Sequence, residues 1–341
     1  MENNPQLGNL GEKKLIEIIE DLVLKKTGKP LMKDDSFYFD LKDMDLDGNL
    51  VFNSDMLVST TDVPIKMSSY QIGRKSIIMN VSDLIVKGVK PRGLIISLGL
   101  PKILKVLEFI NLLNGIIDCS LTYDLNYIGG DINESMELII NPTVFGFKSP
   151  SKIIYRQGIN VGDILVANNK FGLTGVGFDI LLKKNGGLNE FSKYKRSIMS
   201  VLEPIVSGNE AFILAEKSLV TASIDSSDGL YKSLEDLMIS NPNIGFEIDF
   251  NNNLIDPESI QYSNEFNVSL EELVFNGGEE YIHIFTINPE DFKEAQKAVQ
   301  SMGGHIFKIG KVISEEYISI SKEGEKKEIV SYGFEHFTKR D

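Results

Sequence analysis

Arg74-Lys-Ser-Ile-Ile-Met-Asn80-Val-Ser-Asp83-Leu-Ile-Val-Lys87 is the stretch from which the rest of the chain can be read. Its apolar residues Ile77, Ile78, Val81, Leu84 and Ile85 recur at helical spacing, which predicts a helix over 74–87. Ser76, Asn80, Asp83 and Lys87 fall at i, i+4, i+7 and i+11, so they form one polar stripe along it. An exposed stripe would carry Lys and Glu. Asn and Ser around a single carboxylate instead suit the binding of a hard cation. Gly88 and Pro91 stop the helix, and the apolar run 93–100 reads as a strand.

Working outward, the spacing predicts a helix over 11–26 and another with Ile103, Val106, Leu107, Ile110, Leu113 and Ile117 on one face. Residues 37–39 read as an aromatic strand, and 45–49 as a turn leading into a hairpin. Strands are expected at 125–128 and 136–145, either side of Gly129-Gly130-Asp131. Ser149-Pro150-Ser151 reads as a linker, which gives an amino-terminal domain over 1–148 and a carboxy-terminal domain over 149–341. Beyond it, a strand at 162–167, helices near 209–217 and 229–239, and strands at 245–250 and 281–287 alternate without strict strand–helix–strand units. Two α+β domains follow.

The composition limits what such domains do. The formal charge is −14, with 49 acidic and 35 basic residues, so polyanionic partners such as nucleic acid or an anionic membrane are disfavoured. Cys119 is the only cysteine, and His283, His305 and His336 share no zinc-like spacing, which argues against a thiolate or imidazole metal cage. No secretory signal or membrane-length apolar segment is visible, so the expected location is the cytoplasm.

Six stretches place acids beside Gly, Ser or Asn: Asp34-Asp35-Ser36, Asn53-Ser54-Asp55, Asn80-Val-Ser-Asp83, Gly129-Gly130-Asp131, Asp225-Ser-Ser-Asp228-Gly229 and Gly277-Gly278-Glu279-Glu280. Each alone is ordinary turn chemistry. Together they offer hard oxygen ligands that suit magnesium, and magnesium is what a polyphosphate such as ATP needs. No G-x-x-x-x-G-K-[ST] loop is present, and Gly172, Gly175 and Gly177 do not make a dinucleotide fingerprint.

In order and spacing these stretches resemble the thiamine-monophosphate kinases, within the aminoimidazole ribonucleotide synthetase superfamily. The matches run from Leu10-Gly11-Glu12 through the acidic stretches, Lys87-Gly-Val-Lys-Pro91, Arg156-Gln-Gly158 and Gly162-Asp163 to Gly333-Phe-Glu-His-Phe337. The resemblance implies two α+β domains and a homodimer joined through amino-terminal sheets. It implies direct transfer of the γ-phosphoryl group of ATP to thiamine phosphate, with several Mg2+ ions and no covalent intermediate. Carried over by position, Asp35, Asn53, Ser54, Asp55, Asp83, Asp131, Asp225 and Asp228 are metal ligands. Gly130, Asp131, Arg156 and Ser227 contact ATP, and Asp62, Glu279 and Phe334 fall at acceptor-binding positions. Three positions depart from the family pattern: Lys33 replaces Gly, Asp62 replaces His, and Phe334 replaces Trp. The alternative is a paralogous ATP-dependent kinase or ligase acting on another small phosphorylated metabolite. From another class, the alternative is a nucleotide-binding regulator without catalysis.

Overall fold

The computed structural model describes residues 4–31 and 48–330. Asp34, Asp35, residues 37–39, most of the turn at 45–49, and the terminal stretch with Phe334 lie outside them. The chain forms two units, Met1–Leu84 with Val89–Pro150, and Ile85–Gly88 with Ser151–Asp341. The division lies at Pro150/Ser151, and the second unit also claims one turn of the helix read first, which no sequence signal announced.

The first unit contains α1 (Glu12–Thr27), β1 (Asn49–Asn53), β2 (Leu57–Val58), α2 (Ser59–Asp62) and α3 (Ser69–Val86). It continues with β3 (Pro91–Leu100), α4 (Val106–Thr122), β4 (Asn126–Glu134) and β5 (Ile139–Lys148). The sheet runs β1-β5-β3-β4 with β2 on β5. The β3–β4 pair is parallel and joined by α4; the pairs made by β5 are antiparallel.

On β3, Leu94, Ile96, Leu98 and Leu100 are buried and Ser97 is exposed, the alternation of a sheet covered on one face. Helix α3 starts five residues before the periodicity predicts. Gly88 ends it at φ +75, with Gly88 N–H donating to Ile85 O and Val89 N–H to Leu84 O, as left-handed helix caps do. A Cβ on Gly73 would lie 2.2 Å from Leu112 O, and one on Gly115 would lie 2.0 Å from Tyr70 O. Two glycines therefore let α3 and α4 touch backbone to backbone.

Two expectations fail here. Helix α4 begins only at Val106, and Ile103 lies outside it, 71% exposed. Strand β4 runs straight through Gly129-Gly130-Asp131, where the sequence reads as an interruption. Small residues suit that strand because a Cβ on Gly130 would lie 1.8 Å from Ile96 O.

The second unit contains β6 (Ile164–Ala167), α5 (Leu173–Phe178), α6 (Lys195–Leu202), α7 (Asn209–Lys217), β7 (Ala222–Ser226) and α8 (Leu230–Ser240). After these come β8 (Gly245–Asp249), α9 (Pro257–Phe266), α10 (Leu270–Phe275), β9 (Ile282–Ile287) and α11 (Phe292–Ser301). It ends with β10 (Phe307–Ile313), β11 (Ile318–Lys322) and β12 (Glu325–Glu328). The sheet order is β12-β11-β8-β10-β6-β9-β7, antiparallel except for β11 against β8. Every residue of β7 and β9 is buried, so both faces of this part of the sheet are covered. Ile224, Ile282 and Ile284 join the main core with Leu234 and Phe246.

Candidate active site

Ser76 and Asn80, the first two residues of the polar stripe, face inward from α3 in the first unit. Both are fully buried. Asn80 Oδ1 accepts the N–H of Asp55 at 2.8 Å, and its Nδ2 donates to Asp55 O at 3.0 Å and to Ser76 O at 3.0 Å. One turn on, Asp83 Oδ2 accepts from Asn53 Nδ2 at 2.5 Å. The helix thus grips the chain at the end of β1 at two points, setting the Asn53 amide on Asp83 and pinning the Asp55 backbone to Asn80. Ser54 is turned to β5, within 2.9 Å of Thr143 Oγ1 and 3.1 Å of Pro142 O.

That grip leaves Asn53 Oδ1 buried with no hydrogen-bond partner. An orphaned buried amide oxygen is costly, and beside a carboxylate it is the hard oxygen donor that Mg2+ takes. The donor set fits that ion, although no three His, Cys, Asp or Glu side chains form a ready cage among the described residues. Asp131 stands elsewhere on the same sheet, exposed, opposite Ser97 on β3, which in turn lies opposite Asn141 on β5. Ser54 Oγ lies 3.3 Å from Asn141 Oδ1. Ser54, Asn141, Ser97 and Asp131 therefore make one transverse polar row.

In the second unit, Asp225 and Ser226 form the buried end of β7, and Ser227-Asp228-Gly229 turns the chain into α8. Gly229 sits at φ +102, and a Cβ there would lie 2.7 Å from Phe275 O, so glycine is required. The 277–281 loop packs on this turn: Glu279 N–H donates to Ser227 O at 2.5 Å and Tyr281 N–H to Ser226 O at 2.9 Å. Two acidic stretches some fifty residues apart thus become one surface. Arg156 lies beside α8, its Nη1 3.9 Å from Asp236 Oδ2, a long and partly exposed contact.

Sequence reasoning missed two groups here. Glu280, not Glu279, caps α5, accepting the N–H of Gly172 at 2.7 Å, and burial pushes its carboxyl up to about 8. His283 lies opposite Asp225 in the β7–β9 pairing, fully buried, with both ring nitrogens unpartnered. Burial, and then the Lys87 ammonium, push it down to about 3, so it is neutral. Lys87 Nζ in turn donates to Ser223 O at 2.5 Å. A single His inside an apolar run carries no signal that would have flagged it.

The glycine cluster resolves as packing. A Cβ on Gly175 would meet Leu273 O at 2.3 Å, and one on Gly177 would meet Ser197 O at 2.2 Å. Helix α5 is pressed between α10 and α6.

A family model described as AIR synthase related protein, N-terminal domain, matches residues 33–147. The thiamine-monophosphate kinase of Nitrosopumilus maritimus is 33% identical over 298 residues, covering 87% of this chain and 92% of that protein. The chain belongs to the thiamine-monophosphate kinase family. Among solved structures, AaThiL complexed with AMPPCP and TMP matches with a TM-score of 0.73 at 24% identity, covering 97% of this chain and 99% of that one. The hydrogenase maturation protein HypE from E. coli matches with a TM-score of 0.74 at 18% identity, over 93% of this chain and 97% of its own. The fold alone therefore does not separate kinase from maturation protein; sequence identity does.

Within the thiamine-monophosphate kinase family the departure at Asp62 acquires a physical reading. Its Oδ2 accepts the N–H of Val58 at 2.7 Å, and its main-chain O accepts from the buried Lys75 ammonium. The carboxylate closes its own short turn, α2. The departures at Lys33 and Phe334 lie outside the described residues.

Proposed function

We propose that this kinase-family chain transfers the γ-phosphoryl group of ATP to thiamine phosphate, giving thiamine diphosphate. An oxygen of the acceptor phosphate attacks the γ-phosphorus; the bond to the β-bridging oxygen breaks, and ADP leaves with the electron pair. The carrying observation is the end of β1 held on α3: Asn53 donates to Asp83 with a buried amide oxygen to spare, and Asn80 fixes the backbone of Asp55. AaThiL, solved with an ATP analogue and TMP, supports the choice of substrates.

Asn53, Ser54, Asp55, Asp83 and Asp131 on the first unit, and Asp225 and Asp228 on the second, are the proposed Mg2+ ligands, together with Asp35. Bound magnesium supplies neutralisation of the phosphate oxygens. Gly130, Asp131, Arg156 and Ser227 are proposed to hold ATP, and Asp62, Glu279 and Phe334 to border the acceptor. The chain's own part is alignment: neutral amides and backbone fix the carboxylates so that little reorganisation remains at transfer.

We further propose that the enzyme works in the cytoplasm as a homodimer. No helix among the described residues is long and apolar enough to cross a membrane. Leu94, Ile96 and Leu98 of β3 are buried within the unit, whereas Leu50 and Phe52, on β1, an edge strand among the described residues, are 56% and 68% exposed. An exposed apolar edge strand invites pairing.

Chromatographic assay of thiamine diphosphate formed from ATP, Mg2+ and thiamine phosphate tests the activity. Product that appears only with another phosphate ester establishes the paralogue instead. Nucleotide binding without turnover of any acceptor establishes a regulator.

A further inference from the structure

Asn241, just past the end of α8, is a buried amide with all of its polar capacity in use. Its Oδ1 accepts the N–H of Gly158 at 3.0 Å and that of Ile159 at 3.2 Å. Its Nδ2 donates to Arg156 O and to Leu237 O, both at 2.8 Å. Two acceptor sites and two donors are all that such a side chain has. One bond satisfies a carbonyl left open at the helix end. The other three tie residues 156–159, more than eighty positions away in the chain, to α8.

The same segment is held from other sides. Ser223 N–H donates to Tyr155 O at 3.0 Å, and Asn160 Nδ2 donates to Gly158 O at 3.2 Å. Gly158 sits at φ +116, and a Cβ there would lie 2.7 Å from Thr221 O, so only glycine suits the position. Residues 156–159 belong to no helix or strand. Their conformation therefore depends on these bonds and not on a backbone ladder.

Arg156 combines that fixed backbone with a lightly held charge. Its side chain is 45% exposed, and its ion pair to Asp236 is long at 3.9 Å; Asp236 also takes Lys232 at 3.4 Å. An exposed pair of that length contributes little, so the guanidinium is able to leave it for a bidentate grip on phosphate. The side chain also has a direction. Its backbone is bonded at residue 241 while its guanidinium lies beside residue 236. The charge is thus carried about 7 Å back along the helix axis, toward the turn that holds Ser227 and Asp228.

We propose that Asn241 is a positioning residue for nucleotide binding: by fixing the backbone of residues 156–159 on α8, it aims the Arg156 guanidinium at the phosphates of ATP. The inference rests on Arg156 being a nucleotide contact. Preorganisation raises affinity by removing an ordering cost at binding, so losing it weakens the nucleotide and spares the acceptor.

The test is a double-mutant cycle, read by calorimetry with the non-hydrolysable analogue AMPPCP and Mg2+. Asn241→Ala is expected to weaken AMPPCP binding by roughly fivefold or more and to raise the KM for ATP by the same factor, with the KM for thiamine phosphate within about twofold of wild type. In an Arg156→Ala background the same substitution should change AMPPCP affinity by less than about twofold, because the group it aims is gone. An amide that only stabilised the fold would weaken both backgrounds alike. Asn241→Ser, which retains one hydroxyl acceptor, serves if Asn241→Ala does not fold, and should weaken AMPPCP binding about threefold. Unchanged AMPPCP affinity in the folded variant, or in Arg156→Ala alone, overturns the inference, as does a second full loss in the Arg156→Ala background. If wild type forms no thiamine diphosphate, the acceptor reading fails on its own. The AMPPCP cycle needs no acceptor and still decides the role of Asn241.

Discussion

Replacing Asn80 by Ala tests whether the α3 stripe builds the candidate metal loop or merely packs. The amide makes two bonds to the Asp55 backbone, at 2.8 and 3.0 Å, and one to Ser76 O at 3.0 Å. Deleting it strips Asp55 of both partners and leaves a small void where a fully buried side chain stood. A lost bond is worth about 1 kcal/mol, and up to about 3 kcal/mol where the abandoned group stays dry. Asp55 is half-buried, so water reaches part of its backbone and the lower figure applies to each bond. The expected destabilisation is about 2–3 kcal/mol, read as a lower urea midpoint at unchanged slope. Asn80→Asp should be worse, because a carboxylate cannot donate to Asp55 O or Ser76 O and would be buried near Asp83 and Asp55. The same loss loosens the loop carrying Asn53 and Asp55, so the magnesium concentration for half-maximal activity should rise at least tenfold. A stability change below about 0.5 kcal/mol would refute the hydrogen-bond argument. Lost stability with an unchanged magnesium requirement would refute the link between Asn80 and the metal loop.

Asp83→Asn and Asp131→Asn should each cut turnover at saturating magnesium by at least about a hundredfold, roughly 2.7 kcal/mol of barrier, with melting temperatures near wild type; a variant keeping a tenth of the activity removes that residue from the ligand set. The Glu280 carboxyl lies at about 8 in the folded protein, above its value of about 4.3 when unfolded. Its contribution to stability is therefore complete below about pH 4 and lost as pH rises through about 8. The stability advantage of wild type over Glu280→Gln should shrink between pH 5 and pH 9 in urea melts, and a constant difference contradicts the burial argument. Light scattering at micromolar concentration should give a dimer, and Phe52→Glu should shift it toward monomer if the β1 edge is the contact; a monomeric wild type ends that proposal.

Much of the chain was legible because its signals are local. The apolar period of α3, the stop at Gly88 and Pro91, and the alternation on β3 follow from side-chain geometry within one element. The acidic stretches and their order, read together, led to the family that the identity to the Nitrosopumilus maritimus kinase supports. What the stretches touch was not legible. Asn80 reaches Asp55 across 25 residues, and the 277–281 loop reaches Ser226 and Ser227 across about fifty; no periodicity encodes such pairings. Strand β4 runs through a Gly-Gly-Asp that locally resembles a break, because Ile96 O on the neighbouring strand leaves no room for a Cβ. Glu279 and Glu280 are adjacent acids with nothing in the sequence to tell them apart. Only the packing of α5 gives Glu280 the helix cap and the buried proton, because desolvation is a property of what surrounds a carboxyl and not of its place in the chain.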